Sequence, residues 1–243
     1  SNYTYCMTVL PIATIGHPEL RIRASEVDPK EIKSPEIQTF IDDLVETMRH
    51  ANGAGLAATQ VLRHQRICAV EVNKNPRYPY KPQVPLTILI NPVLTPLDED
   101  MFENNEGCLS VPGFRGNVWR YTSIRVQAFD RNGETIDQII RGMTACTYQH
   151  EVDHLNGTLF IDRMEKKVRS KLDKAVKEYG FVGAHWYPHW FSMPIDAPQV
   201  YPFRPQPHLN VVYGYTDAVS RGEVLETDAR EFGFVVGESR YRG

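Results

Sequence analysis

The chain has 243 residues, of which 27 are Lys or Arg and 30 are Asp or Glu, so its formal net charge is −3. Hydrophobic residues make up 42% and charged residues 23%, proportions typical of a globular protein with a sizeable core. No apolar run approaches the roughly 18 residues of a membrane helix, and the near-neutral charge argues against a dedicated nucleic-acid binder. Because no secretory signal is recognisable, we expect a cytoplasmic protein with reduced cysteines, while an organelle stays open.

The first predicted helix begins at Ser34-Pro35, because serine caps a helix well and proline suits the first helical position. Asn52-Gly53 is expected to end it. Between these points apolar residues recur at helical spacing and form one face. They are Ile37, Phe40, Ile41, Leu44, Val45 and Met48.

Short β-rich runs follow the first helix. They cover residues 66–72, 86–90, 124–129 and 135–140. Asn132-Gly133 predicts a hairpin turn between the last two, since this dipeptide accepts positive φ readily. Four prolines predict a loop that cannot pair regularly. They stand at Pro76, Pro79, Pro82 and Pro85.

Two further helices are predicted, over residues 144–155 with an end at Asn156-Gly157, and over residues 163–179. After about residue 183 the composition changes, and Pro and aromatic residues become frequent. This C-terminal extension, residues 184–243, is too apolar for a solvated tail, so we expect it to pack on the core or on a partner.

The stretch Gln149-His150-Glu151-Val152-Asp153-His154 carries the strongest chemical signal. On a helix, residues four apart lie on the same face, so His150 and His154 are able to present two imidazoles to one metal ion. Glu151 is placed to take a proton from water without being a ligand. The alternative is a helix with two partly exposed histidines and a surface glutamate.

A catalytic metal usually has three protein ligands, so the two histidines require a third. The longer metallopeptidase pattern requires a histidine where this chain has Phe160, and that interpretation fails. Glu178 is a weak candidate because it lies in a strongly basic segment. Cys108, within Glu106-Gly107-Cys108-Leu109-Ser110, offers a thiolate on glycine-flanked backbone and is the better third ligand. A lone cysteine is otherwise often a small core residue.

The run Gly53-Ala54-Gly55-Leu56-Ala57-Ala58-Thr59-Gln60 has small residues that let backbone approach a ligand, and Gln60 supplies an amide donor. Taken in order, the stretches 53–60, 106–110 and 149–154 resemble the three motifs of peptide deformylase. The resemblance spans about residues 12–164. It implies an α+β fold, with mixed and antiparallel sheets around a central metal-binding helix. It also implies a catalytic domain over residues 1–183, with the extension 184–243 longer than the family requires.

The resemblance implies an enzyme that removes the formyl group from the N-terminal formyl-methionine of new polypeptides. Cys108, His150 and His154 would then hold one divalent metal ion per chain. Fe²⁺ is the usual physiological ion, and Zn²⁺, Ni²⁺ or Co²⁺ also occupy such sites. Glu151 would act as general base and then acid, while the Gln60 amide and the Leu109 N–H stabilise the oxyanion.

Substrate-binding residues are also expected around these motifs, although each has a packing role as its alternative. The candidates are Gly53, Ala54, Gly55, Glu106, Gly107, Arg115, Cys146 and Thr147. The partners implied are N-formyl-methionyl peptides and nascent chains, with no membrane, and the chain is expected to be a monomer.

Lysines and arginines are frequent in residues 163–177, and the resemblance suggests that this segment makes transient contact with ribosomal RNA. The alternative is an ordinary solvated surface. Two other functions are the alternatives. One is an ordinary zinc peptidase, which Phe160 and Cys108 argue against, and the other is a metal-binding or ribosome-associated module that has lost its activity. Glu151 and Gln60 argue against the latter, because a structural metal site needs neither.

Overall fold

The computed structural model describes residues 8–75, 81–164 and 200–201. Its helices are α1 (Pro35–His50) and α2 (Gly142–Leu155). Its strands are β1 (Ile12–Ala13), β2 (Gly55–Ala57), β3 (Ile67–Val72), β4 (Val84–Pro96), β5 (Met101–Cys108), β6 (Val111–Tyr121), β7 (Ser123–Phe129), β8 (Thr135–Arg141) and β9 (Val200–Tyr201). The α+β class is therefore confirmed. In the described ranges, no helix combines the length and the apolar character needed to cross a membrane.

The chain divides into two compact units, and the first contains the described parts of Ser1–Pro11, Ile22–Met101 and Arg120–Gly157. Its five-stranded sheet has the order β2-β3-β4-β7-β8, with every neighbouring pair antiparallel. β3 is buried along almost its whole length, so both of its faces are covered. β8 forms one edge of the sheet, and most of its residues are exposed.

Helix α1 forms as its capping residues predict. The Ser34 hydroxyl accepts a hydrogen bond from the Ile37 N–H at 3.3 Å, and Pro35 occupies the first turn. At the other end Asn52 takes a φ of 53°, and the Gly53 N–H donates to the Met48 carbonyl at 2.9 Å. The left-handed residue closes the last turn and satisfies a carbonyl that would otherwise lack a partner.

The proline-rich loop was predicted wrongly at Pro85, which lies inside β4. Thr87 pairs with Val70 and Val84 pairs with Val72, so two residues of β4 oppose one residue of β3 between these pairs. This bulge contains Pro85 and removes the need for a ladder N–H that proline lacks. Pro76 and Pro79 lie outside the described residues.

Helix α2 packs on the five-stranded sheet and contacts β2, β3, β4, β7 and β8. It ends where the sequence predicts, with Asn156 as the last capping residue and Gly157 at a φ of 72°. The hairpin between β7 and β8 also forms as predicted, with Gly133 at a φ of 79°. In the first unit, α2 is therefore a largely buried helix packed on the five-stranded sheet.

The second unit comprises the described parts of Ile12–Arg21, Phe102–Trp119 and Thr158–Gly243. β1 pairs with β9 in antiparallel fashion. β5 and β6 form a second two-stranded sheet, and only Leu109 and Ser110 connect them, so they make a hairpin.

The third predicted helix does not begin at Arg163. Phe160–Arg163 forms a 3-10 turn, and Met164 follows with extended backbone, at a φ of −65° and a ψ of 147°. Residues 165–179, and with them most of the basic segment, lie outside the described residues.

Candidate active site

The two histidines of α2 lie as the four-residue spacing predicts. His150 Nε2 and His154 Nε2 are 3.3 Å apart, and the ring planes are inclined by 71°. Two nitrogens bound at about 2.0–2.1 Å to one tetrahedral ion lie about 3.3–3.4 Å apart. The spacing of the two rings therefore already fits shared coordination of one metal ion.

Cys108, the last residue of β5, belongs to the same group of potential metal ligands. One ligand atom from each of Cys108, His150 and His154 lies within 4.8 Å of the other two. A thiolate with two imidazoles is a donor set that borderline divalent ions accept, and three protein ligands leave a coordination position open. The residues present thus fit a catalytic metal.

Glu151 is buried, and it is not part of the ligand group. Its side chain lies directly against Gly55 of β2. A methyl group on Gly55 would stand 2.6 Å from Glu151 Cδ and 2.7 Å from Cγ. Glycine at this position is therefore what leaves room for the Glu151 side chain, which places Gly55 beside a predicted catalytic residue.

Cys68 of β3 is fully buried, and burial raises the pKa of its thiol well above the ordinary value. The nearby Glu151 carboxylate raises this pKa further, while Arg66 opposes the shift. Cys68 therefore stays a neutral thiol at physiological pH. Cys68, Cys108 and Cys146 all carry free thiols, as predicted.

Gln60 lies in a buried 3-10 turn, Ala58–Val61. Its Oε1 accepts a hydrogen bond from the Ala57 N–H at 2.9 Å, which fixes the amide plane and directs Nε2, the donor end, away from that bond. Thr59, in the same turn, donates from Oγ1 to the His154 carbonyl at 3.1 Å. Sequence reasoning missed Thr59, although it stands inside the first motif.

The second motif lies in the β5–β6 hairpin. Leu109 is buried in the two-residue connection, and Gly107 lies in β5. Glu106 is buried, and its Oε1 accepts a hydrogen bond from Asn104 Nδ2 at 3.2 Å. Arg115 lies in β6, but its side chain is outside the described part of the structure.

The remaining substrate-binding candidates have packing contacts of their own. Ala54 belongs to the core of the first unit, and Gly53 makes the bond that ends α1. Cys146 is almost fully buried in α2. Thr147 Oγ1 accepts a hydrogen bond from Lys81 Nζ at 3.0 Å, which places an ammonium group one helical turn before His150. No sequence pattern pointed to Lys81.

A thiolate and two imidazoles that fit one divalent ion, with a buried glutamate beside them on the same helix, define a metal-dependent hydrolase centre. A family profile described as polypeptide deformylase matches residues 9–170. The chain therefore belongs to the polypeptide deformylase family.

Individual relatives agree with this assignment. Peptide deformylase 1 of Nitrosomonas europaea is 46% identical over 152 residues, which are 63% of this chain and 85% of the relative. The peptide deformylase of Pseudomonas aeruginosa is 41% identical over 172 residues, which are 69% of this chain and 96% of the relative. A class I type b peptide deformylase from Acinetobacter baumannii, solved with Met-Ala-Ser bound, has a TM-score of 0.63 and 37% identity, covering 65% of this chain and all (100%) of that one.

Proposed function

We propose that this chain hydrolyses the N-terminal formyl group of formyl-methionyl peptides and nascent chains, giving formate and a free amine. One observation carries the proposal: Cys108, His150 and His154 converge on one point, and Glu151 lies outside this group but adjacent in sequence to one of its ligands. A purely structural metal site would not need a buried carboxylate beside it.

Cys108, His150 and His154 would hold one divalent ion, and we propose Fe²⁺ as the physiological one from the resemblance to the family. Zn²⁺, Ni²⁺ and Co²⁺ suit the same donors. When bound, the ion supplies the Lewis acidity that makes water a nucleophile near neutral pH. Metal analysis of protein purified without oxygen tests the choice of ion.

Glu151 is proposed to move the proton. Its carboxylate accepts a proton from the attacking water as the water oxygen bonds to the formyl carbon. It then delivers that proton to the amine nitrogen as the C–N bond breaks. The Gln60 Nε2–H and the Leu109 N–H are proposed to donate to the oxyanion that forms in between.

Formate release from a formyl-Met peptide tests this assignment, with bound metal measured in the same samples. Glu151→Gln keeps the shape of the side chain but removes its basicity, so we expect about one metal per chain and a loss of 10²-fold or more in kcat. Glu134→Gln, at an exposed position of the β7–β8 turn, is the control and should retain full activity. Full activity of Glu151→Gln would exclude Glu151 as the base.

The wider setting of the enzyme is also a proposal. We propose a cytoplasmic location, because the substrates are new polypeptides. We also propose that the chain is a monomer and that its basic residues 163–177 make transient contact with ribosomes. Co-sedimentation with ribosomes should weaken as salt rises if phosphates are the contact. Light scattering should give a mass near 27.8 kDa if the chain is monomeric.

A further inference from the structure

An ion pair is buried beside the metal-binding turn of α2. Arg120 of β6 donates from Nη1 to Asp153 Oδ2 at 2.6 Å, and the two side chains are only 2% and 8% exposed. Arg120 is among the largest fully buried side chains of the described residues. None of the three sequence motifs includes it.

Stability alone does not account for such a pair. Burying two charges costs several kcal/mol per ion, and their attraction repays this cost only with good geometry. Apolar residues of similar volume often serve stability as well or better. A buried pair does, however, restrict the directions of both side chains, because separating two opposite charges away from water costs free energy.

A second bond set holds the same part of α2 to the next residue of β6. The Tyr121 N–H donates to Gln149 Oε1 at 3.0 Å, and Gln149 Nε2 donates to the Tyr121 carbonyl at 2.9 Å. Consecutive residues of β6 therefore hold Gln149 and Asp153, which are one helical turn apart. Each of these anchored residues immediately precedes a metal-binding histidine in the sequence.

Because Gln149 and Asp153 are held one turn apart, they fix both the rotation of α2 about its axis and its position along that axis. His150 and His154 follow the anchors by one residue each, so their directions are set together. We propose that Arg120 is a positioning residue of the metal centre, whose ion pair with Asp153 aligns the two histidines. This inference rests on the metal site of the proposed function but not on its substrate.

The test is the double variant Arg120→Gln/Asp153→Asn, which removes both charges and leaves no single buried ion. Metal affinity is measured by competition with a chelator, using Zn²⁺, and ligand geometry by the visible absorption of the Co²⁺-loaded protein. Loss of a group that orients metal ligands typically costs 10–100-fold in affinity, and we expect a loss in that range with a changed cobalt spectrum.

The matched control is Arg125→Gln/Asp137→Asn, which removes an ion pair of the same type between β7 and β8. Both of its side chains are about half exposed, and they belong to β7 and β8 rather than to α2. We expect this variant to bind metal as the unchanged protein does. Unchanged affinity and an unchanged cobalt spectrum in Arg120→Gln/Asp153→Asn would overturn the proposal.

If the double variant does not fold, Arg120→Lys supplies the test, because it keeps the positive charge but loses the guanidinium geometry. Weakened metal binding in folded Arg120→Lys supports positioning, and normal binding overturns it. Both measurements proceed without formyl peptide. A protein that fails to release formate but shows the affinity loss would therefore refute the proposed function and retain this inference.

Discussion

Replacing Gly55 by alanine should displace the Glu151 carboxylate without removing any functional group. The added methyl would lie 2.6 Å from Glu151 Cδ, whereas non-bonded carbons sit at about 3.5–4.0 Å. The carboxyl group must therefore retreat by about 1 Å. A misplacement of about 1 Å costs on the order of 10²-fold in rate, and a general base supplies about 10²–10⁴-fold.

We therefore expect Gly55→Ala to lower kcat by about 10²-fold while bound metal stays near one per chain. Steady-state formate release measures kcat, and metal analysis measures the number of bound ions per chain. Gly55 lies in a strand, where alanine adopts the backbone readily, so the loss should come from the contact with Glu151.

Gly142→Ala is the control, because a methyl there meets nothing within 4 Å although its φ is +63°. It should lower stability by about 1–2 kcal/mol through backbone strain and leave kcat unchanged. An undiminished kcat in Gly55→Ala would refute the displacement argument. A loss of metal in proportion to activity would do so as well.

Other substitutions separate the remaining roles. Gln60→Ala should lower kcat at least tenfold with metal retained, since one oxyanion donor is worth about 2.7–4 kcal/mol, and an unchanged kcat would remove Gln60 from the reaction. Cys108→Ser should lower the metal content at a fixed chelator concentration, while the control Cys146→Ser should keep its metal. Equal metal content in the two variants would exclude Cys108 as a ligand. The Arg49 guanidinium holds the pKa of Glu71 below its ordinary value of 4.5, so the pair stabilises the fold above that pH and less as pH falls through the lowered pKa. The Tm difference between Glu71→Gln and the unchanged protein should therefore narrow below pH 4.5, and a constant difference would contradict this cause.

Local sequence signals predicted the regular elements of the first unit well. Ser34, Asn52 and Gly157 act on the backbone of their own turns, so no distant residue is needed to interpret them. β5 and β6 were not predicted, because their polar residues show no clear alternation. Pro85 was misassigned because the bulge that accommodates it depends on pairing with β3. Tertiary pairing, rather than propensity, decides these segments.

The candidate site likewise combines features that local sequence predicts with features that only tertiary contacts reveal. His150 and His154 were found because helical periodicity alone brings them together. The contact between Gly55 and Glu151 joins a strand to a helix, and no spacing rule reveals it. Lys81 and Arg120 carry no pattern of their own, so only the folded chain shows what they touch.

The carbonyl groups at the end of α2 are bound by side chains from far earlier in the chain. Thr59 bonds the His154 carbonyl across 95 residues, and Arg66 bonds the Leu155 carbonyl across 89. Contacts of such long sequence separation close late, because the loop entropy must be overcome before they form. During synthesis the sheet strands β2, β3 and β4 leave the ribosome well before α2 does. Thr59 and Arg66 are therefore already synthesised when the last turn of α2 is made, so that turn does not wait for residues later in the chain to supply these two bonds.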